Sequence, residues 1–193
     1  KNLNVCGDGG VLTTNSKEIC KKVKLLRNHG LKNRNEIEFF GYNSRLDTIH
    51  ATVALHVMKS LKEVATIRRN HAQIYDAGLR ELSDTVTLPP RRENFEQVFH
   101  TYIVQVKRRT EFMKYLQDHG VETKIHYPIP IHLQKPCRKM GYKLGDFPMC
   151  EQQAEAIVSL PIHQHLTEEQ IYYVIETIKQ FYTCLSKSRN RAE

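Results

Sequence analysis

The sequence predicts an α/β chain in two parts. Helical and strand-like segments alternate along it, and one long apolar-periodic stretch, free of proline, separates the first part from the second. From the N-terminus, residues 11–14 read as a short strand after the turn Gly7-Asp8-Gly9-Gly10. Ser16 then caps an amphipathic helix with Ile19, Val23 and Leu26 on one face, and His29-Gly30 closes it. Residues 31–40 are polar and irregular. Residues 46–82 form the longest helical segment, with Ile49, Val53, Val57, Leu61, Val64 and Ile67 recurring every three or four positions. Gly78 is its weak point. At about 1.5 Å rise per residue such a helix crosses a whole domain, so it reads as a bridge between a first domain, 1–60, and a second, 61–185.

The second domain follows the order helix, strand, helix, strand, helix, an α/β or α+β pattern. Residues 86–90 end in a Pro-Pro stop. Residues 99–106 are aromatic and β-branched, the composition of a strand. A helix at 109–119 is closed by Gly120. A second strand at 121–127 runs into Pro128-Ile129-Pro130. Phe147-Pro148 precedes a helix at 149–158. Thr167-Glu168-Glu169-Gln170 is a capping box that opens the last helix, expected to reach about residue 184. Residues 186–193 read as a flexible tail.

Composition narrows the function. Of 193 residues, 40% are hydrophobic and 26% charged, as in ordinary globular proteins. No apolar run is long enough for a membrane span. The five cysteines are odd in number and include no Cys-x-x-Cys pair, which argues against a disulfide framework and for a reducing cytoplasm. The net charge of +8 asks for an acidic partner. Nucleic acid and a phosphorylated small molecule are the candidates, but the basic residues fall in short clusters with no aromatic interleaving, which read as solvated helix faces and argue against duplex binding.

Three segments carry chemistry. Lys1 leads through Asn2-Leu3 into the glycine turn. A terminal lysine is ordinarily an exposed one, yet a lysine beside a sharp glycine turn is also how a Schiff-base lysine is presented to a cofactor. Gly41-Tyr42-Asn43-Ser44-Arg45-Leu46-Asp47 precedes the long helix. Asn43 and Ser44 are natural caps there, and with Arg45 they also make a phosphate or carboxylate site. Lys124-Ile125-His126-Tyr127-Pro128-Ile129-Pro130-Ile131-His132 crowds two histidines and a tyrosine into a proline-stiffened loop. With His163 and His165 these histidines raise the question of a metal. The spacing lacks the tight register and the carboxylate or thiol partner of zinc ligands, so His126 and Tyr127 read as substrate-facing groups.

Lys1-Asn2-Leu3 before the glycine turn, Arg27-Asn28-His29-Gly30, Gly41 to Asp47, His126-Tyr127-Pro128, Gly145-Asp146-Phe147-Pro148 and Ser159-Leu160-Pro161 occur in that order. As a set they resemble the DegT/DnrJ family of nucleotide-sugar aminotransferases dependent on pyridoxal 5'-phosphate (PLP). The resemblance runs from residue 1 to about residue 182. It implies the aspartate-aminotransferase fold (fold type I), with the end of the large domain followed by the small C-terminal α+β domain. It also implies a homodimer with shared active sites. By that likeness Lys1 is the Schiff-base lysine and moves the proton during transamination. Asn43 reaches the PLP phosphate of the partner subunit, with Tyr42 and Arg45 nearby as substrate-binding groups. His126 and Tyr127 line the sugar-nucleotide pocket. The amino donor is glutamate or glutamine, the acceptor a nucleotide-linked keto-sugar, and the product an amino sugar for polysaccharide, glycan or antibiotic.

Related dehydratases carry histidine where this lysine stands, so Lys1 favours transamination. In the family, the half before the lysine supplies the aspartate for the pyridine nitrogen, a ring-stacking residue and further phosphate contacts. These 193 residues by themselves are therefore expected neither to hold PLP tightly nor to turn over. A non-catalytic regulatory or scaffold protein that kept the fold is the alternative. Lys1 beside an intact glycine turn argues against it.

Overall fold

The computed structural model describes residues 1–189, and it divides into two compact units, Lys1–Lys62 and Glu63–Glu193. In the first unit, α1 (Lys17–Leu26) starts at Ser16, whose hydroxyl accepts from the Ile19 amide at 3.3 Å. Its exit is closed by the Gly30 amide, which donates back to the Leu25 carbonyl at 2.8 Å. The chain then turns on itself, and 42–44 pair with 26–29: the Tyr42 amide donates to Leu26 O at 2.7 Å, His29 to Tyr42 O at 2.8 Å, and Ser44 to Arg27 O at 2.9 Å. Gly30 and Gly41 make this approach possible. Gly30 has φ +72°, and a Cβ on it would overlap the Phe39 carbonyl.

The expected strand at 11–14 is not formed. No other strand of the first unit is available among the described residues to ladder with it, and Val11 and Leu12 stand exposed. The expected single helix over 46–82 is interrupted. It consists of α2 (Thr48–Val57), a 3-10 turn at Met58–Ser60, α3 (Leu61–Leu79) and a second 3-10 turn at Arg80–Leu82. At the first break the Ser60 hydroxyl donates to the Val57 carbonyl at 3.2 Å, a side-chain bond that competes with the helical ladder. The N-cap of α2 is Asp47, so Asn43 and Ser44 lie before the helix and do not cap it.

The second unit is built on a three-stranded antiparallel sheet in the order β1 (Val86–Thr87), β2 (Tyr102–Val106), β3 (Ile157–Leu160). Val86 pairs with Val106, and Tyr102 with Leu160. The β3 segment is a strand where a helix to residue 158 was expected. The helices α5 (Lys135–Lys139) and α6 (Pro148–Ala156) lead into it, and α6 ends where the β-branched pair Ile157-Val158 turns extended. The expected strand at 121–127 reduces to one bridge, Lys124 with Ser159.

Period-two alternation buries Tyr102, Val104 and Val106 of β2. They join Tyr75 and Leu79 of α3, Phe112 and Leu116 of α4 (Arg109–Asp118), and Ile171, Ile175 and Ile178 of α7 (Glu168–Arg189) in one core. Gly78 is the contact point of α3 with α7, since a Cβ there would lie 2.7 Å from the Ile175 Cδ1. The capping box is present in both directions: the Gln170 amide donates to Thr167 Oγ1 at 3.3 Å and the Thr167 amide to Gln170 Oε1 at 3.0 Å. The last helix continues to Arg189, into the segment expected as a tail, and residues 190–193 lie outside the described residues. No helix among the described residues is long and apolar enough to cross a membrane.

Candidate active site

In the first unit the glycine turn leans on the segment that precedes and opens α2. A Cβ on Gly9 would meet Leu46 Cδ1 at 3.2 Å and Val5 Cγ2 at 2.9 Å; one on Gly7 would meet His50 Nε2 at 3.0 Å. A side chain at either position would crowd this approach. The approach creates a groove of ≈ 910 Å³ lined by Gly9 and Gly10 on one side, Asn43, Ser44 and Arg45 on another, and Lys24 and Arg27 from the end of α1. Arg45 Nε donates to Asn43 Oδ1 at 3.1 Å. That bond uses the acceptor end of the Asn43 amide, whose NH2 end is a donor. Lys1 and Tyr42 are exposed and are not among the lining residues of this groove. The structure thus brings Asn43 and Arg45 together with the glycine turn, and leaves Tyr42 on the same paired loop.

In the second unit His126 and Tyr127 line a cavity of ≈ 620 Å³ with Ile103 of β2, Pro128, Ile129, Ile131, Gln134, Cys150, Ala154 and Ile157. Isoleucines and prolines dominate it, with a few polar groups. The loop 126–132 is pinned at both ends. At one end His126 Nδ1 lies 2.8 Å from the Ser159 hydroxyl. At the other, His132 Nε2 lies 2.7 Å from Glu151 Oε1, with the His132 ring buried and packed 4.8 Å from that of Phe147. Glu151 also accepts from the Gly145 amide at 2.9 Å and, at 3.4 Å, from the Phe147 amide. Partial desolvation pushes the Glu151 carboxyl up, but the hydrogen bonds from His132, Gly145 and Phe147 together outweigh it and hold it below the usual carboxylate range. The side chains of Tyr127, Ile129 and Ile131 stay exposed between the two pins.

His163 and His165 stand apart from this loop in their hydrogen bonding. The His165 amide donates to His163 Nδ1 at 3.2 Å, and burial, with the nearby His165, Arg68 and His71, pushes the His163 imidazole down. No group of three metal-ligating side chains is assembled among the described residues.

Ser159, Glu151 and His132's role as a pin were not foreseen from sequence. Ser159 had a signal: a serine inside the apolar run Ile157–Leu160 is buried polar surface that needs a partner.

Residues 1–179 match the DegT/DnrJ/EryC1/StrS aminotransferase family. The chain belongs to this family. It is 38% identical over 183 residues to the pleiotropic regulatory protein of Geobacillus stearothermophilus, covering 94% of this chain and 49% of that protein. It is 33% identical over 181 residues to dTDP-3-amino-3,4,6-trideoxy-alpha-D-glucose transaminase of Streptomyces venezuelae, covering 94% of this chain and 48% of that protein. Among solved structures it superposes with S. venezuelae DesV in complex with a ketimine intermediate at a TM-score of 0.90 and 32% identity, covering 94% of this chain and 48% of that one. The chain spans about half the length of the curated relatives it matches. Its fold is that of the corresponding half of a PLP-dependent, fold type I sugar aminotransferase.

Proposed function

We propose that this chain is the part of a sugar aminotransferase that carries the reactive lysine, the end of the large domain and the small domain. The enzyme would move an amino group from glutamate or glutamine to a nucleotide-linked keto-sugar. Family membership supports the class of reaction. The observation that carries the site is the first-unit groove, where glycine backbone meets Asn43, Ser44, Arg45, Lys24 and Arg27. A side-chain amide, a hydroxyl and three cations, against the single carboxylate of Asp8, are a donor set for a phosphate, so the residues present fit the phosphate of pyridoxal 5'-phosphate.

When bound, that cofactor supplies the electron sink on which transamination depends. The chain's own groups have three tasks. Lys1 would hold the cofactor through Nζ and, once released, carry a proton on Nζ at the sugar carbon. Asn43 and Arg45 would hold the phosphate of the second copy's cofactor in a homodimer with shared sites. That Lys1 does not line their groove suits this division. His126 and Tyr127 would line the path of the sugar nucleotide, with Tyr42 beside Asn43. An odd number of cysteines without a Cys-x-x-Cys pair suits a reducing cytoplasm.

The test is formation of 2-oxoglutarate when the native protein carrying this chain is given PLP, L-glutamate and a dTDP- or UDP-linked 3-keto-sugar. Activity that disappears in Lys1→Arg supports the reading, and undiminished activity in that variant refutes it. A second reading, a regulatory protein on the same scaffold, is favoured by the names of two relatives, a pleiotropic regulatory protein and an erythromycin biosynthesis sensory transduction protein. Full transfer activity would set it aside.

A further inference from the structure

Ser159 is a polar residue in a buried strand. It is 7% exposed between Val158 at 0% and Leu160 at 3%. Its backbone is fully engaged: its amide donates to Lys124 O at 2.7 Å, and its carbonyl accepts from the Lys124 amide at 3.3 Å. The hydroxyl lies 2.8 Å from His126 Nδ1. A hydroxyl in such a place carries a proton that bulk water cannot accept, and leaving a buried donor unpaired costs about 1–3 kcal/mol. The acceptor the fold gives it is the imidazole nitrogen. A neutral imidazole has one N–H and one lone pair. If Nδ1 carried the proton instead, it would donate to Ser159 Oγ, and the serine's own proton would be left without a partner.

We propose that Ser159 is a positioning residue: its hydroxyl donates to His126 Nδ1, sets the ring as the Nε2–H tautomer, and makes His126 a hydrogen-bond donor to the groove. Nδ1 is held by β3, so the opposite edge of the ring is the one left for the ligand. Ile103, Ile129 and Ile157 make much of the groove wall, with Tyr127, Gln134 and Gln153 as its other polar side chains. A directed N–H in a mostly apolar wall recognises an acceptor oxygen, such as a sugar hydroxyl, a carbonyl or a phosphate oxygen. It cannot act as a general base in that state. The tautomer stands on geometry alone, while its use on a sugar nucleotide rests on the function proposed above.

The experiment reads the ring directly and needs neither substrate nor cofactor, so the two ideas can fail separately. The 15N-labelled native protein carrying this chain is examined by long-range 1H–15N correlation at about pH 8, above the ordinary imidazole range. His126 is assigned by the signal lost in His126→Gln. The expected pattern is a lone-pair nitrogen at Nδ1 and a protonated nitrogen at Nε2. In Ser159→Ala both nitrogens should move toward the averaged shifts of an exchanging imidazole, with the amide spectrum of β2 unchanged. A wild-type ring protonated at Nδ1 overturns the proposal, as does a Ser159→Ala ring identical to wild type. The wild-type pattern decides by itself if Ser159→Ala does not fold.

Discussion

The two units of this chain hold their site residues by different means. The second unit has a continuous core from α3, the sheet, α4 and α7, and its loop 126–132 is pinned by the buried side chains of Ser159 and His132, the latter paired with the half-buried Glu151. The first unit has a single buried apolar side chain, Val5, among the described residues of 1–62. Neither α1 nor α2 buries a residue, and Phe40, Ile49 and Leu55 stand 97%, 78% and 67% exposed. Its loop 41–45 is placed instead by backbone pairing and by glycines that allow close approach. One site segment is positioned by packing, the other by main-chain geometry.

That contrast predicts where substitutions act. Phe112→Ala removes a fully buried ring that meets Phe181 edge-on, and should cost about 3–5 kcal/mol in denaturant unfolding of the second unit. Ile49→Ala in the first unit should stay within about 0.5 kcal/mol by the same measurement. Equal losses would erase the distinction. Gly78→Ala forces a methyl against Ile175 between α3 and α7 and should cost about 1–3 kcal/mol, again confined to the second unit. Gly30→Ala strains a position at φ +72° that also abuts the Phe39 carbonyl. The local cost should exceed about 1 kcal/mol and appear as faster amide exchange at Tyr42 and Ser44, with the second unit's unfolding unchanged.

The smallest effect is a pH dependence of the second pin. The Glu151 carboxyl is held low, so its contribution is complete above the ordinary carboxylate range and disappears as pH falls through the depressed value. Exchange protection at the Gly145 amide, corrected for intrinsic rates, should therefore fall between about pH 5 and pH 3. In Glu151→Gln that window should be flat.

Much of this was legible in the sequence because it depends on local rules. The Ser16 cap, the Gly30 turn and the Thr167–Gln170 box each need only neighbours in sequence, and each stands where it was expected. Residues 11–14 failed as a strand because a strand needs a partner strand, which its own composition does not supply. The break at Met58–Ser60 was invisible to apolar periodicity, which continues through it. β3 was missed because Ile157-Val158 fits the end of a helix as well as the start of a strand, and only pairing with β2 decides. At the site, residue types pointed to Asn43, Arg45, His126 and Tyr127. The residues that hold two of these groups in place, Ser159 for His126 and Gly9 beside the Asn43–Arg45 groove, depend on contacts far apart in the chain.

Lys1, proposed as the amine that would hold the cofactor, can be mapped directly. The native protein carrying this chain is treated with borohydride in the presence of PLP, digested, and mapped by mass spectrometry. A pyridoxyl group on Lys1 Nζ is expected, as is its loss in Lys1→Arg. A pyridoxyl group on a different lysine, or no reducible cofactor at saturating PLP, would refute that assignment.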